Sequence, residues 1–142
     1  MSKPKIALTT DAVIFSSEEK KYQILLIKRK NKPFKGLWAL PGGFLEEDEV
    51  LIDGCKRELE EETSLKVDSL QQVGVYDSVD RDPRGRMISV AFTASVKNST
   101  AVKAKDDAEE AEWFPVKKLP KLAFDHLQII KDAAKLLHIT LS

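Results

Sequence analysis

The chain has 142 residues, 42% hydrophobic and 32% charged, a composition that suits one globular domain with a single substantial core. Its 23 basic and 23 acidic side chains balance, which disfavours both a nucleic-acid partner and a disordered chain. No apolar run approaches the roughly 18 residues that span a bilayer, MSKPKIALTT lacks the apolar stretch of a signal peptide, and Cys55 is the only cysteine, so a reducing cytoplasmic setting is expected with no membrane and no internal disulfide.

Residues 6–15 (IALTTDAVIF) and 22–27 (YQILLI) read as two strands joined by the polar SSEEKK turn. A basic loop, KRKNKPFKG, leads into LWALPGGFLE, where Pro41, Gly42 and Gly43 are expected to break regular structure just ahead of an acidic helix. Residues 70–79 and 87–96 look like a further strand pair around the RDPRGR loop. Residues 111–114 (AEWF) read as a short strand, and Asp125 to about Leu137 as a closing helix. No Gly/Ser/Pro-rich linker or internal repeat interrupts the series, so residues 1–142 are expected to form a single domain. Runs of strands with only two or three helices suggest an α+β sandwich with a mixed sheet between helices.

The acidic helix carries the chemistry. Glu58, Glu61 and Glu62 stand at i, i+3 and i+4, which places them on one helical face within about 100° of arc. As plain structure this is poor design, because like charges repel and the negative end of the helix dipole lies beside them. A solvated acidic face is the alternative. Against it, Leu51, Gly54 and Cys55 project on the same side as the three glutamates, while Glu49, Asp53, Lys56 and Glu60 fall opposite. The N-terminal half of the helix is therefore expected in the core and its C-terminal half at the rim of a site, with Gly54 leaving room for a close neighbour. Hard oxygen donors on a short arc suit Mg²⁺ or Mn²⁺, ions usually completed by substrate phosphates.

The segment GFLEEDEVLIDGCKRELEEETSL resembles the signature of the Nudix hydrolases, G-x5-E-x7-R-E-U-x-E-E-x-G-U, where U is bulky and aliphatic. Gly43, Glu49, Arg57, Glu58, Leu59, Glu61, Glu62 and Leu65 match at the required spacing. The departure is Ser64 in place of glycine, where a helix usually ends in a left-handed residue. The resemblance implies an α/β/α sandwich and a cation held by Glu58, Glu61 and Glu62, with a backbone carbonyl near Gly43 as a further ligand. It also implies that the cation activates a water for attack on phosphorus. Arg57 and Glu49, eight residues apart, would pair with each other or with the ligand carboxylates and hold the group rigid. Glu58 and Glu61 are both candidates for the general base.

Outside the signature, LIKRKNKPFKGLWALPGGFLEE, VGVYDSVDRDPRGRMISVAF, DDAEEAEWFP and KLPKLAFDH together resemble the ADP-ribose pyrophosphatase branch over roughly residues 6–130. The implied reaction converts ADP-ribose to AMP and ribose 5-phosphate, and the resemblance also suggests a homodimer. Such a substrate needs aromatic faces for its base and cations for its phosphates, which Phe34, Trp38, Arg29, Arg81, Arg84 and Arg86 supply as residue types. Phe34 and Trp38 are equally readable as packing residues, and the RDPRGR arginines as solubilising a turn. Asp107 is a candidate extra carboxylate, although DDAEEAE also reads as an exposed acidic stretch. His126 is open between touching substrate and capping the last helix with Asp125. Two other functions stay open: hydrolysis of oxidised nucleoside triphosphates or other dinucleotides, and non-catalytic sensing of ADP-ribose. The sensor reading expects a DNA-binding extension, for which the sequence up to Ser142 leaves no room.

Overall fold

A computed structural model describes residues 2–19, 21–97 and 108–141. In chain order its elements are β1 (Ala7–Glu18), β2 (Lys21–Arg29), β3 (Trp38–Ala39), β4 (Gly42–Phe44), α1 (Leu51–Thr63), β5 (Gln71–Tyr76), β6 (Met87–Lys97), β7 (Ala108–Pro115) and α2 (His126–Leu136). β1 is the central strand. It runs parallel to β6 from Ala7 opposite Met87 to Ser17 opposite Lys97, and antiparallel to both β2 and β4. β3 and β7 flank β2, and β5 pairs antiparallel with β6.

The strands at the centre carry continuous apolar runs, residues 12–15 in β1 and 24–27 in β2, because both faces of the sheet are covered, with Thr10, Asp11, Ser16, Ser89 and Thr93 buried beside them. Ala12 and Ile14 of β1, with Leu25, Val90 and Phe92, pack against Cys55 and Leu59 of α1. Val13 and Phe15 turn to the other side and pack with Ile24, Leu26 and Ala91 against Ile129, Ile130, Ala133 and Ala134 of α2. The spacing of those helical residues is that of one face of a 3.6-residue helix. The chain is thus an α+β sandwich whose mixed sheet lies between two helices, as the pattern of elements predicts. Among the described residues no helix is long and apolar enough to cross a membrane.

The structure departs from expectation at the glycines. Gly42 and Gly43 do not break the sheet; with Phe44 they form β4, opposite Thr9–Asp11. A Cβ on Gly42 would stand 2.0 Å from the Thr10 carbonyl oxygen and 2.8 Å from Asp11 Oδ1. Glycine here permits two backbones to approach, a use of the residue distinct from turn formation. β7 is also longer than the four residues expected, running from Ala108 to Pro115. At the end of α1, Ser64 takes the left-handed conformation (φ 67°) and its N–H donates to Glu60 O at 2.9 Å. The glycine of the family pattern is therefore replaced without loss of the turn it makes.

Candidate active site

Two features of the local sequence bring the charged cluster together. Glu49 lies just ahead of α1, and its Oε1 accepts a hydrogen bond from Glu46 N (2.9 Å), which folds the loop back on the helix. Gly54 makes space for that fold, since a Cβ there would stand 2.8 Å from Leu45 Cδ1 and 2.9 Å from Glu49 Oε1. Arg57, one turn further on, then meets Glu49 with both arms of its fork, Nε to Oε2 at 3.0 Å and Nη2 to Oε1 at 2.7 Å. Its Nη1 donates to Glu58 Oε1 (2.9 Å) and Glu61 Oε2 (3.0 Å), and Nη2 also reaches Phe44 O (3.1 Å). Hydrogen bonding to this guanidinium holds the Glu49 carboxyl down at about 2, and the carboxylates in return raise the basicity of Arg57.

The other carboxylates face the glycine strand. Glu58 lies directly on Gly43, where a Cβ would come within 2.5 Å of its Oε2. Burial raises the Glu58 pKa, and Arg57 offsets only part of that effect. Glu62 is buried, and its Oε1 accepts from Gly42 N at 2.7 Å. These groups form the floor of a cleft of about 600 Å³, whose rim carries Arg29, Lys30, Lys32 and Arg84. The donor set suits a hard divalent cation: oxygen ligands only, one of them a half-buried carboxylate whose charge burial penalises. Glu58, Glu61, Glu62 and the Gly43 carbonyl are the groups that would hold it. Among the described residues no three such groups already converge on one point, because Arg57 draws Glu58 and Glu61 towards itself.

A smaller recess of about 70 Å³ continues from the cleft past Gly42 and Gly43 and ends on Asp11, Arg81, Phe124 and His126. Arg29 lines both spaces; its Nε donates to Pro33 O (2.7 Å) and its guanidinium lies 5.0 Å from the Phe124 ring centroid. Arg84 lines both as well, forked onto Asp82 at 3.1 and 2.8 Å and 5.6 Å from the rings of Phe44 and Phe124. Phe34 packs edge-on to Phe124 at 4.8 Å. Both phenylalanines have left-handed backbone, with φ of 59° and 52°, a strained conformation for a bulky residue that is commonest at functional sites.

Comparison with known proteins places these features in one family. The family model for the NUDIX domain matches residues 5–133. The chain belongs to the NUDIX family. It is 55% identical over 128 residues to an ADP-ribose pyrophosphatase of Methanocaldococcus jannaschii, a match covering 89% of this chain and 72% of that protein. It is 37% identical over 134 residues to the ADPR responsive transcriptional repressor NtrR of Acinetobacter baylyi, and spans only 54% of that repressor. Among solved structures, the NUDIX domain of Shewanella oneidensis NrtR in complex with ADP ribose superposes with a TM-score of 0.90 at 35% identity, covering 95% of this chain and 90% of that one.

The remaining residues singled out in this Nudix chain lie apart from the cleft floor. Trp38 lines neither space; its ring packs at 4.6 Å against Phe114 on the α2 side of the sheet, so here it is a packing residue. Arg81 borders the recess, but its buried side chain is forked onto Asp125 at 2.9 and 2.7 Å. Burial lowers the Arg81 pKa and the aspartate more than restores it, so its charge anchors the 81–86 loop to α2. Asp125 is therefore not a capping side chain, although it occupies the N-cap position. Arg86 donates to Asp77 O at 2.7 Å and lines neither space. Asp107 lies outside the described residues. Phe124 and Asp11 were not expected at the site, and His126, left open between touching substrate and capping the last helix, lines the recess. The only signal in the sequence was the run LAFDH, whose aromatic and polar residues sit just ahead of a helix.

Proposed function

We propose that this chain is a metal-dependent Nudix hydrolase that cleaves a nucleoside diphosphate linked to a second moiety, with ADP-ribose as substrate and AMP and ribose 5-phosphate as products. The observation that carries the reading is the opposition of charges across one cleft. Glu58, Glu61 and Glu62 form its floor, while Arg29, Lys30, Lys32 and Arg84 rim it. The 55% identity to the archaeal ADP-ribose pyrophosphatase supports this substrate over oxidised nucleotides. Phe124, which lines the recess and packs edge-on to Phe34, with Arg29 and Arg84 against its ring, offers the aromatic surface that a base requires.

Each residue then has a physical task. Arg29 and Arg84 attract and orient the diphosphate. Arg57 pairs with Glu49, Glu58 and Glu61 and keeps their side chains together at the cleft floor. When bound, Mg²⁺ or Mn²⁺ supplies charge neutralisation on the diphosphate and activation of water. Water oxygen joins one phosphorus, the bridging P–O bond breaks towards the other phosphate, and the proton passes to a carboxylate. Glu58 and Glu61 are both candidates for that task. The same reading makes the chain a single cytoplasmic domain with a reduced, buried Cys55. It also makes the protein a homodimer, as the family resemblance suggests.

The test is release of AMP from ADP-ribose with Mg²⁺ or Mn²⁺, beside 8-oxo-dGTP, NADH and a nucleotide sugar. Preference for ADP-ribose by at least about tenfold in kcat/KM is expected. Preference for another substrate would overturn the branch assignment and leave the hydrolase. The likeness to the NtrR repressor favours a second reading, a sensor that binds ADP-ribose without turning it over. Tight binding with no product would establish it.

A further inference from the structure

Behind the glycine strand lies a buried polar group that the chemistry above does not use. His126, the first residue of α2, is 5% exposed. Its Nδ1 accepts a hydrogen bond from Leu40 N at 3.0 Å. A ring nitrogen that accepts carries no proton, so the proton resides on Nε2. Nε2 faces Asp11 Oδ1 at 3.5 Å, and Asp11 Oδ2 accepts in turn from Ser89 Oγ. Burial favours the neutral ring, while Asp11 and Asp125 pull the other way and Arg81 and Arg29 reinforce it.

What this chain of contacts holds is the strand that faces the carboxylates. Leu40 is followed by Pro41, whose carbonyl accepts from Ala12 N at 2.8 Å, and then by Gly42, whose N–H donates to Glu62. Gly42 also has Asp11 against it, and Gly43 has Glu58. Both nitrogens of a buried imidazole need partners wherever it sits, so the identity of the partners is what bears on function. Here one grips the main chain two residues from Gly42, and the other is oriented by a carboxylate that itself touches Gly42.

We infer that His126 is a positioning residue for the hydrolytic reaction: its neutral ring, oriented by Asp11 and Ser89, sets the Leu40 amide and through it the placement of Gly42 and Gly43 against Glu62 and Glu58. The inference rests on the hydrolase reading of the cleft for its kinetic consequence, though not for its geometry.

Nitrogen-15 shifts of His126 in the wild-type protein, recorded without substrate near neutral pH, test the geometry. An unprotonated Nδ1 and a protonated Nε2 are expected; a proton on Nδ1 would overturn the proposal. This measurement needs no variant and no turnover, so its failure is distinct from failure of the hydrolase reading. The kinetic test compares His126→Phe, which keeps a ring without an acceptor, with His126→Asn, whose side-chain oxygen can take the place of Nδ1. On whichever substrate the wild type hydrolyses, His126→Phe should lose at least about tenfold in kcat with KM within about threefold, and His126→Asn should recover most of that loss. Melting curves establish that each variant is folded at the assay temperature. A folded His126→Phe with wild-type kcat, or equal impairment of both variants, would refute the role.

Discussion

Replacing Arg57 with methionine removes the guanidinium and keeps much of its volume, so the result reports on charge and hydrogen bonding. The variant loses the fork onto Glu49, and it also leaves Glu58, whose carboxyl is already penalised by burial, without its bond from Nη1. A charge-assisted hydrogen bond of this kind contributes about 1.5–3 kcal/mol, and the side chain of Glu58 is only 17% exposed, so solvent screening is limited. The bonds to Glu61, 44% exposed, add little to this. A loss of about 2 kcal/mol corresponds to a fall in Tm of roughly 6–8 °C for a domain of this size. Thermal unfolding followed by circular dichroism gives the number directly. Adding Mg²⁺ should recover part of the loss in Arg57→Met, because a cation among the carboxylates substitutes for the one removed. The acid side supplies a second check. The folded pKa of Glu49 is lowered to about 2 from 4.5, so its contribution is present above 4.5 and is lost as pH falls towards 2. That limb should be missing in the variant. A Tm within about a degree of wild type in metal-free buffer would refute the structural role of Arg57.

Glu61→Gln should abolish detectable turnover while leaving Tm unchanged, because this partly exposed carboxylate stabilises little but belongs to the proposed metal-binding set; an active variant would remove it from that set. Gly43→Ala places a methyl group 2.5 Å from Glu58 Oε2, so the carboxylate must shift, and kcat should fall by at least about tenfold in steady-state assays. Phe124→Ala should raise KM for ADP-ribose by about tenfold, the worth of one stacked aromatic contact, with a smaller effect on kcat. The buried His126 has its pKa lowered from 6.5, so the unfolded chain takes up a proton that the folded one refuses. Stability is therefore complete above pH 6.5 and declines below it by up to about 1.4 kcal/mol per pH unit. Denaturant titrations between pH 5 and 7 should show this slope, about these values, and His126→Asn should flatten it.

The carboxylate cluster was legible in the sequence because its geometry is local. Three residues at i, i+3 and i+4 share a helical face whatever the rest of the chain does, and Arg57 lies within reach of two of them, Glu58 and Glu61. The sheet was legible for a related reason: strands buried on both faces have to be apolar throughout, as AVIF in β1 is. The recess was not legible, since its parts meet only through topology. Leu40 and His126 are 86 residues apart, and Ser89 and Asp11 are 78 apart, joined because β6 runs parallel beside β1. Trp38 shows the same limit. Its aromatic character suited a base platform, but the two-residue strand that carries it turns the ring onto Phe114. Arg81 suited a phosphate until Asp125, 44 residues away, took both arms of its fork.

The arrangement of charge across the cleft bears on whether the protein turns its ligand over or only binds it. A site built solely to hold a nucleoside diphosphate needs the basic rim and gains nothing from an acidic floor. Like charges about 8 Å apart repel by about 2 kcal/mol at an effective dielectric of ~20, so the floor would weaken binding of a dianion with no cation present. Arg57 neutralises part of that charge, but it spans Glu49, Glu58 and Glu61 together, and Glu62 is bonded to the amide of Gly42. The excess of carboxylates over guanidinium is tolerable once a divalent ion joins the diphosphate, because the ion and the rim then balance both partners. The energetic sense of the floor therefore depends on metal, and binding of ADP-ribose should be markedly tighter with Mg²⁺ than in its absence, as expected where cation and substrate complete one another's coordination.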